Sequence, residues 1–272
     1  MKNEVNCLIP LAHCLIAQLP HSSVTDNVQS MIRSDLDLPS LEAALRERLR
    51  TPLPGPDVQR RFAPQPVLKS WDPAARPAHA RQAAALLLLY PGARGPALVL
   101  TERHADLPHH GGQISLPGGG VQDGESVAAA ALREAHEEIG IDPSAARVLG
   151  ALSSLWVLVS GFVVHPIIAI ADARPGFALC PREVETLIEM PVAVLRDPAR
   201  LRWQHRVRPR ADGTGVALRV PYFALGDPDT GDGPQVWGAT AMMLGEFGAL
   251  LDPAFGPGPA PESLDAARIT LF

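Results

Sequence analysis

Glu125, Glu134, Glu137 and Glu138 lie close together on a stretch that follows three successive glycines, Gly118, Gly119 and Gly120. Residues 126–139 contain neither proline nor glycine, are rich in alanine and stop at Gly140, which predicts a helix closed by a left-handed residue. At roughly 100° per residue, Ala128, Ala131, Leu132, Ala135 and Ile139 make an apolar stripe. Glu134, Glu137 and Glu138 stand at i, i+3 and i+4 and share another face, where like charges repel unless a cation compensates them. A cluster of carboxylates without cysteine suits a hard divalent cation, Mg2+ or Mn2+, rather than zinc. Arg133 can reach Glu137 one turn on or bridge back to Glu125, and the glycines permit backbone geometries that bring a carbonyl into a metal shell. The competing reading is an exposed helix whose glutamates are merely solvated.

The rest of the chain must position that helix. Its 272 residues can bury a sizeable core, and the formal net charge of −5 argues against general nucleic-acid binding. The 28 prolines imply many loops and strand ends. Three cysteines, Cys7, Cys14 and Cys180, lack zinc spacing and make no disulfide framework, which points to a reducing cytoplasm. No apolar run is long enough to span a membrane, so no membrane partner is expected. Residues 1–30 hold every asparagine in the chain and two of the cysteines; they read as a foreign extension, with a functional start near Met31. Residues 31–78 read as a capped amphipathic helix from Asp37, with Leu41, Ala44, Leu45 and Leu49 on one side, then a proline-rich connection over 51–77. Strands are predicted at 83–90, 97–103, 147–152 and 162–171, a short helix at 192–196, a hairpin from 201–208 and 215–225, and a last helix at 237–251. Residues 253–272 read as a loose Pro/Gly-rich tail, leaving 79–252 as the main domain. Strands alternating with helices argue for an α/β sandwich with a mixed β-sheet.

The spacing from Gly119 through Glu125 to the run REAHEEIGI resembles the signature box of the Nudix hydrolases, with Ala135 where that family usually has a larger aliphatic residue. The resemblance implies a Nudix-type α/β/α sandwich and a metal-dependent diphosphate hydrolase acting on a small molecule. It implies Gly118, Glu134, Glu137 and Glu138 as metal ligands, with Glu137 or Glu183 as the base and Arg133 as a catalytic-site arginine. Upstream, LTERHADLPHHGGQISLPGGG resembles the extra motif of the coenzyme A pyrophosphatase branch at Leu100, Thr101, Arg103, Gly112, Gln113, Pro117, Gly118 and Gly119. His104, Pro108 and Leu116 depart from it. The segments VSGFVVHPIIA, REVETLIEMPVAVL and VWGATAMML resemble later parts of that branch in order and spacing. Coenzyme A or an acyl derivative is therefore the implied substrate, with Arg103, Gln113 and Gly119 binding it. ADP-ribose or another nucleoside diphosphate derivative is the alternative of the same chemistry, and a non-catalytic nucleotide-sensing module the alternative of another class.

Other polar groups have plainer readings. His104, His109 and His110 lie in a loop without zinc-site spacing and read as surface or phosphate contacts. His136 reads as solvent-facing or supporting the metal ligands. Arg200, Arg202, Arg206, Arg208 and Arg210 would share one face of an extended strand, either to attract an anion or as a solvated edge that discourages pairing. Trp203, Tyr222 and Trp237 could stack on adenine, though core packing is the simpler expectation.

Overall fold

A computed structural model of the chain describes residues 37–67, 70–106, 111–209, 215–227, 232–258 and 269–271. All of these belong to one structural unit, Asp35–Phe272. The expectations for residues 1–30, for the functional start at Met31, and for Pro108, His109, His110 and Arg210 lie outside the described residues.

The central strand is β1, Arg81–Gly92. A tight turn joins it to antiparallel β2, Gly95–Arg103, and Arg81–Leu89 pair in parallel with Phe162–Ile170. Along the chain there follow β3 (Ile114–Ser115), β4 (Gly118–Gly120), β5 (Arg147–Ala151), β6 (Leu155–Val157), β7 (Phe162–Ile170), β8 (Val184–Pro191) and β9 (Leu201–Pro209). The main sheet runs β3-β2-β1-β7-β5, with β4 against β1, β6 against β7 and β8 against β2. It is mixed, as expected.

Why β1 reads as an unbroken apolar run is now clear: both of its faces are covered. Ala84, Leu86, Leu88 and Tyr90 face helix α3, Val127–Ile139, together with Ala130, Ala131, Ala135 and Ile139. Ala85, Leu87 and Leu89 face the other way, into a core shared with α1 (Leu38–Arg48), α2 (Gly55–Arg61) and α4 (Gly238–Leu251). The result is the expected α/β/α sandwich.

Several expectations need correction. Within the segment read as 31–78, Leu41, Leu45 and Phe62 are fully buried in the main core, although Ala44 is exposed. Its proline-rich connection contains α2, because Pro54 and Pro56 sit at the helix start, where a missing amide N–H costs nothing. The short helix at 192–196 is a 3-10 turn, Val192–Arg196. The hairpin forms from β9 and β10, Gly215–Ala224, with the residues between them, 210–214, outside the described ones. It belongs to a second sheet ordered β11-β10-β9-β12, where β11 is Gln235–Trp237 and β12 is Ile269–Leu271. Thus the tail expected to be loose adds a strand, and β9 is no edge, since it pairs with both β10 and β12.

Candidate active site

Helix α3 starts where Ser126 accepts the amide of Ala129 at 3.2 Å and ends where Gly140 adopts φ 70°. A Cβ on Gly140 would meet Ala178, because segment 178–180 folds back over the helix end. There Ala178 donates to the carbonyl of Ile139 and Cys180 to that of Glu138, both at 2.9 Å, satisfying groups a helix end otherwise leaves open. The carbonyl of Cys180 then accepts the amides of Glu183 and Val184 at 3.0 and 2.9 Å, and the carbonyl of Glu183 accepts the amide of His104 at 2.9 Å. This backbone chain hangs Glu183 from the helix that carries Glu138. Nothing in the sequence pattern foretold it.

The predicted stripe packs against the sheet, with Ala131, Ala135 and Ile139 fully buried, but the buried face extends beyond it. Ala128 and Leu132 are only half-buried, Ala130 is fully buried, and Glu138, expected on the charged face, is 4% exposed. Gly118 donates its amide to Glu138 Oε2 at 3.1 Å, and Arg103 Nη1 lies 3.6 Å from Glu138 Oε1. Burial pushes the Glu138 carboxyl up to about 7; the Gly118 amide and Arg103 oppose that shift, while Glu183 and Glu134 add to it. One residue on, a Cβ on Gly119 would fall on the Glu134 carboxylate, so only glycine lets that carboxylate lie against the strand.

Arg133 binds the remaining acids. It forks onto Glu125 at 2.9 and 3.0 Å, reaches Glu134 Oε1 at 2.8 Å and Glu137 Oε1 at 3.3 Å, and donates to the Gly120 carbonyl at 2.9 Å. Its guanidinium holds the Glu125 carboxyl below its ordinary value. Both predicted partners, Glu125 and Glu137, are therefore engaged. Glu137 alone of the predicted trio points outward, with its side chain 55% exposed. Among the described residues, no three His, Cys, Asp or Glu side chains converge as a ready-made metal cage. Arg133 and Arg103 stand among the acidic groups instead. The donor set nonetheless fits a hard divalent cation: a buried carboxylate with one amide donor, a second carboxylate packed on glycine backbone, and oxygens throughout.

The other predicted residues divide. Arg103 is in the site, but on a carboxylate. Gln113 closes the β2–β3 hairpin with its backbone, accepting from the Arg103 amide at 3.0 Å. His104 does not sit free for a phosphate: its Nε2 lies 3.2 Å from Glu185 and its Nδ1 accepts the Asp106 amide. A cleft of about 260 Å³ opens there, lined by His104, Asp106, Pro181 and Arg182. His136, expected to face solvent or support the ligands, places Nδ1 2.7 Å from the Ile141 carbonyl. The expected positive face of β9 is divided: Gln204 and Arg206 are buried, with the Arg206 guanidinium stacked 3.9 Å over Trp237, Arg202 is half-buried, and Arg208 is exposed. Arg200 donates to the carbonyls of Ala224 and Gly226, and Tyr222 is core.

A family model described as the NUDIX domain matches residues 80–208, the span that carries this site. A Nudix hydrolase NudL from Pectobacterium atrosepticum is 41% identical over 121 residues, covering 44% of this chain and 62% of that relative. A NudL from Citrobacter koseri is 41% identical over 172 residues, covering 61% of this chain and 81% of the relative. The chain belongs to the Nudix hydrolase family. It spans less than two thirds of the P. atrosepticum relative, 62% of its length. Among solved structures, a Nudix hydrolase from M. smegmatis, RenU, covers 45% of this Nudix chain at 28% identity with a TM-score of 0.38.

Proposed function

We propose that this protein hydrolyses the diphosphate link of coenzyme A or an acyl-coenzyme A, releasing 3′,5′-ADP and 4′-phosphopantetheine or its acyl form. The observation that carries the reading is the meeting of Arg103 with Glu138 at 3.6 Å, which joins the segment before the box to the box itself. Arg103 belongs to the stretch that resembles the coenzyme A motif, and Glu138 to the general Nudix box.

Gly118, Glu134, Glu137 and Glu138 would hold Mg2+ or Mn2+, which when bound supplies charge neutralisation at the diphosphate and a more acidic water. Hydrolysis forms one phosphorus–oxygen bond to water and breaks the bridging one, and a carboxylate takes the water's proton. Glu183 is the favoured base. Its loop is bonded to the end of the helix beneath Glu138, whereas Glu137 is engaged by Arg133. Arg133 keeps Glu134 in place, and Gly119 lets substrate and carboxylate approach the strand closely. No helix among the described residues is long and apolar enough to cross a membrane, and the cysteine usage favours the cytoplasm.

The test is incubation with coenzyme A and manganese, followed by analysis for 3′,5′-ADP. Coenzyme A should exceed ADP-ribose in kcat/KM by at least about ten-fold, the order expected of one charge-assisted contact with the 3′-phosphate. An equal or better rate with ADP-ribose would reject the coenzyme, and no cleavage of any diphosphate by folded protein would favour a sensing module.

A further inference from the structure

We propose that Arg103 is an exchangeable counter-charge, which occupies the place of the cation beside Glu138 and is released to the substrate phosphate when the cation binds. The inference rests on the metal-dependent reading above and adds a two-position role for one residue.

Three observations lead to it. First, the Glu138 side chain is 5% exposed and accepts a hydrogen bond from the Gly118 amide, so its charge needs a cation close by. Second, the cation present is Arg103, at 3.6 Å from Oε1, beyond the length of a good charge-assisted hydrogen bond. The contact is electrostatic rather than a fitted fork, which leaves the guanidinium's planar donors available for a better partner. Third, the Arg103 side chain is 28% exposed although its backbone is fixed between the Gln113 carbonyl and the Gly112 amide. The strand is anchored while the side chain keeps partial contact with solvent.

A divalent cation on Glu138 would repel a guanidinium at that distance, and a substrate diphosphate would attract it. A guanidinium forks onto phosphate oxygens as readily as onto a carboxylate. Exchange therefore keeps Glu138 compensated before the cation arrives and delivers a positive charge to the substrate afterwards. Arg133 differs, because it holds Glu125 through two short bonds and is not poised to leave.

The exchange gives two effects of opposite sign. Arg103 competes with the cation, so R103Q should bind Mn2+ more tightly without substrate, by about ten-fold, the size of a one-unit neighbouring-charge effect. At saturating Mn2+ the same variant should show a KM for the diphosphate substrate raised about ten-fold or more, since the phosphate has lost a charged donor. R103K keeps the charge and loses the fork, so its Mn2+ affinity should stay within about two-fold of the parent while KM remains raised.

Free Mn2+ is counted by electron paramagnetic resonance, and KM is measured separately at saturating metal. Should R103Q be too unstable for titration, the rise in Tm on adding Mn2+ reports the same quantity and should be larger than in the parent. A purely structural Arg103 would weaken both functions, and a purely substrate-binding one would leave Mn2+ affinity unchanged; either result overturns the exchange. A parent that binds no Mn2+ and cleaves no diphosphate would instead overturn the metal-dependent reading itself.

Discussion

Glu138 joins folding to chemistry at a single carboxyl group. Its folded pKa, about 7, lies above the ordinary glutamate value because burial penalises the charged form. The folded chain therefore binds this proton more tightly than the unfolded chain does. The associated stability is fully present below the unfolded value, about 4.3, and is lost as pH rises through about 7. In a metal chelator, E138Q should accordingly be more stable than the parent at about pH 8, by up to about 3 kcal/mol, and equal to it near pH 4. Turnover should be abolished, because the amide keeps the shape and the Gly118 contact but not the charge. Urea unfolding at the two pH values and a coenzyme A assay check this. Parallel pH profiles would show that the carboxylate is not buried as described, and turnover within a few-fold of the parent would remove it from the metal shell.

At the scale of elements, α1 is fastened to the sheet by Glu42, which accepts from Arg147 Nη1 at 2.9 Å and from Arg46 at 2.7 Å, while Arg147 also donates to Asp172 at 2.7 Å. Hydrogen bonds from Arg147 and then Arg46 hold the Glu42 carboxyl down at about 2. Its contribution is present above the unfolded value and is lost as pH falls through about 2. The Arg147 side chain is 45% exposed, so solvent screens the network and E42Q should cost only about 0.5–1 kcal/mol at neutral pH. The cost should shrink with added salt and vanish toward pH 2, read from denaturation midpoints. A cost that ignores salt and pH would mean that packing, not charge, fixes the helix. Elements of this kind were unevenly legible. The unbroken apolar run of β1 and the capped start of α1 could be read directly, whereas β8 could not. Its exposed Glu185, Thr186 and Glu189 break the apolar pattern, and only its ladder to β2 makes it a strand.

Among the described residues, one of the two cores flanking the sheet joins segments that the sequence divides. Leu41, Leu45, Val58 and Phe62 pack with Leu87 and Leu89 of β1 and with α4, and Phe62 stacks on Phe223 at 5.6 Å between ring centroids. Removing residues 1–78 would uncover that whole face of the sheet. A chain begun at residue 79 should have no cooperative unfolding transition, whereas one begun at Met31 should keep both its transition and its activity. L41A gives the graded version and should cost about 2–5 kcal/mol, as for other fully buried leucines. Calorimetry of the three proteins decides it: a cooperative transition from residue 79 would show that α1 and α2 are accessory to the core.

Local sequence determined what local physics can encode. Ser126 and Gly140 bound the acidic helix, the three glycines before it define a close approach, and the spacing of Glu134, Glu137 and Glu138 places the acids on it, so family and sandwich could both be read without coordinates. What the tertiary structure decided is which acid is buried and what each charge meets. Helical periodicity fixes the angles between side chains but not the rotation of the helix against its sheet, so Glu138 could not be told from Glu137. Strand alternation placed the arginines of β9 on one face without revealing that Arg206 is buried there and stacks on Trp237. The meeting of Arg103 with Glu138, and of Glu183 with the end of α3, spans residues far apart in the chain. Such contacts depend on the register of β2, β4 and β8, which the sheet as a whole sets.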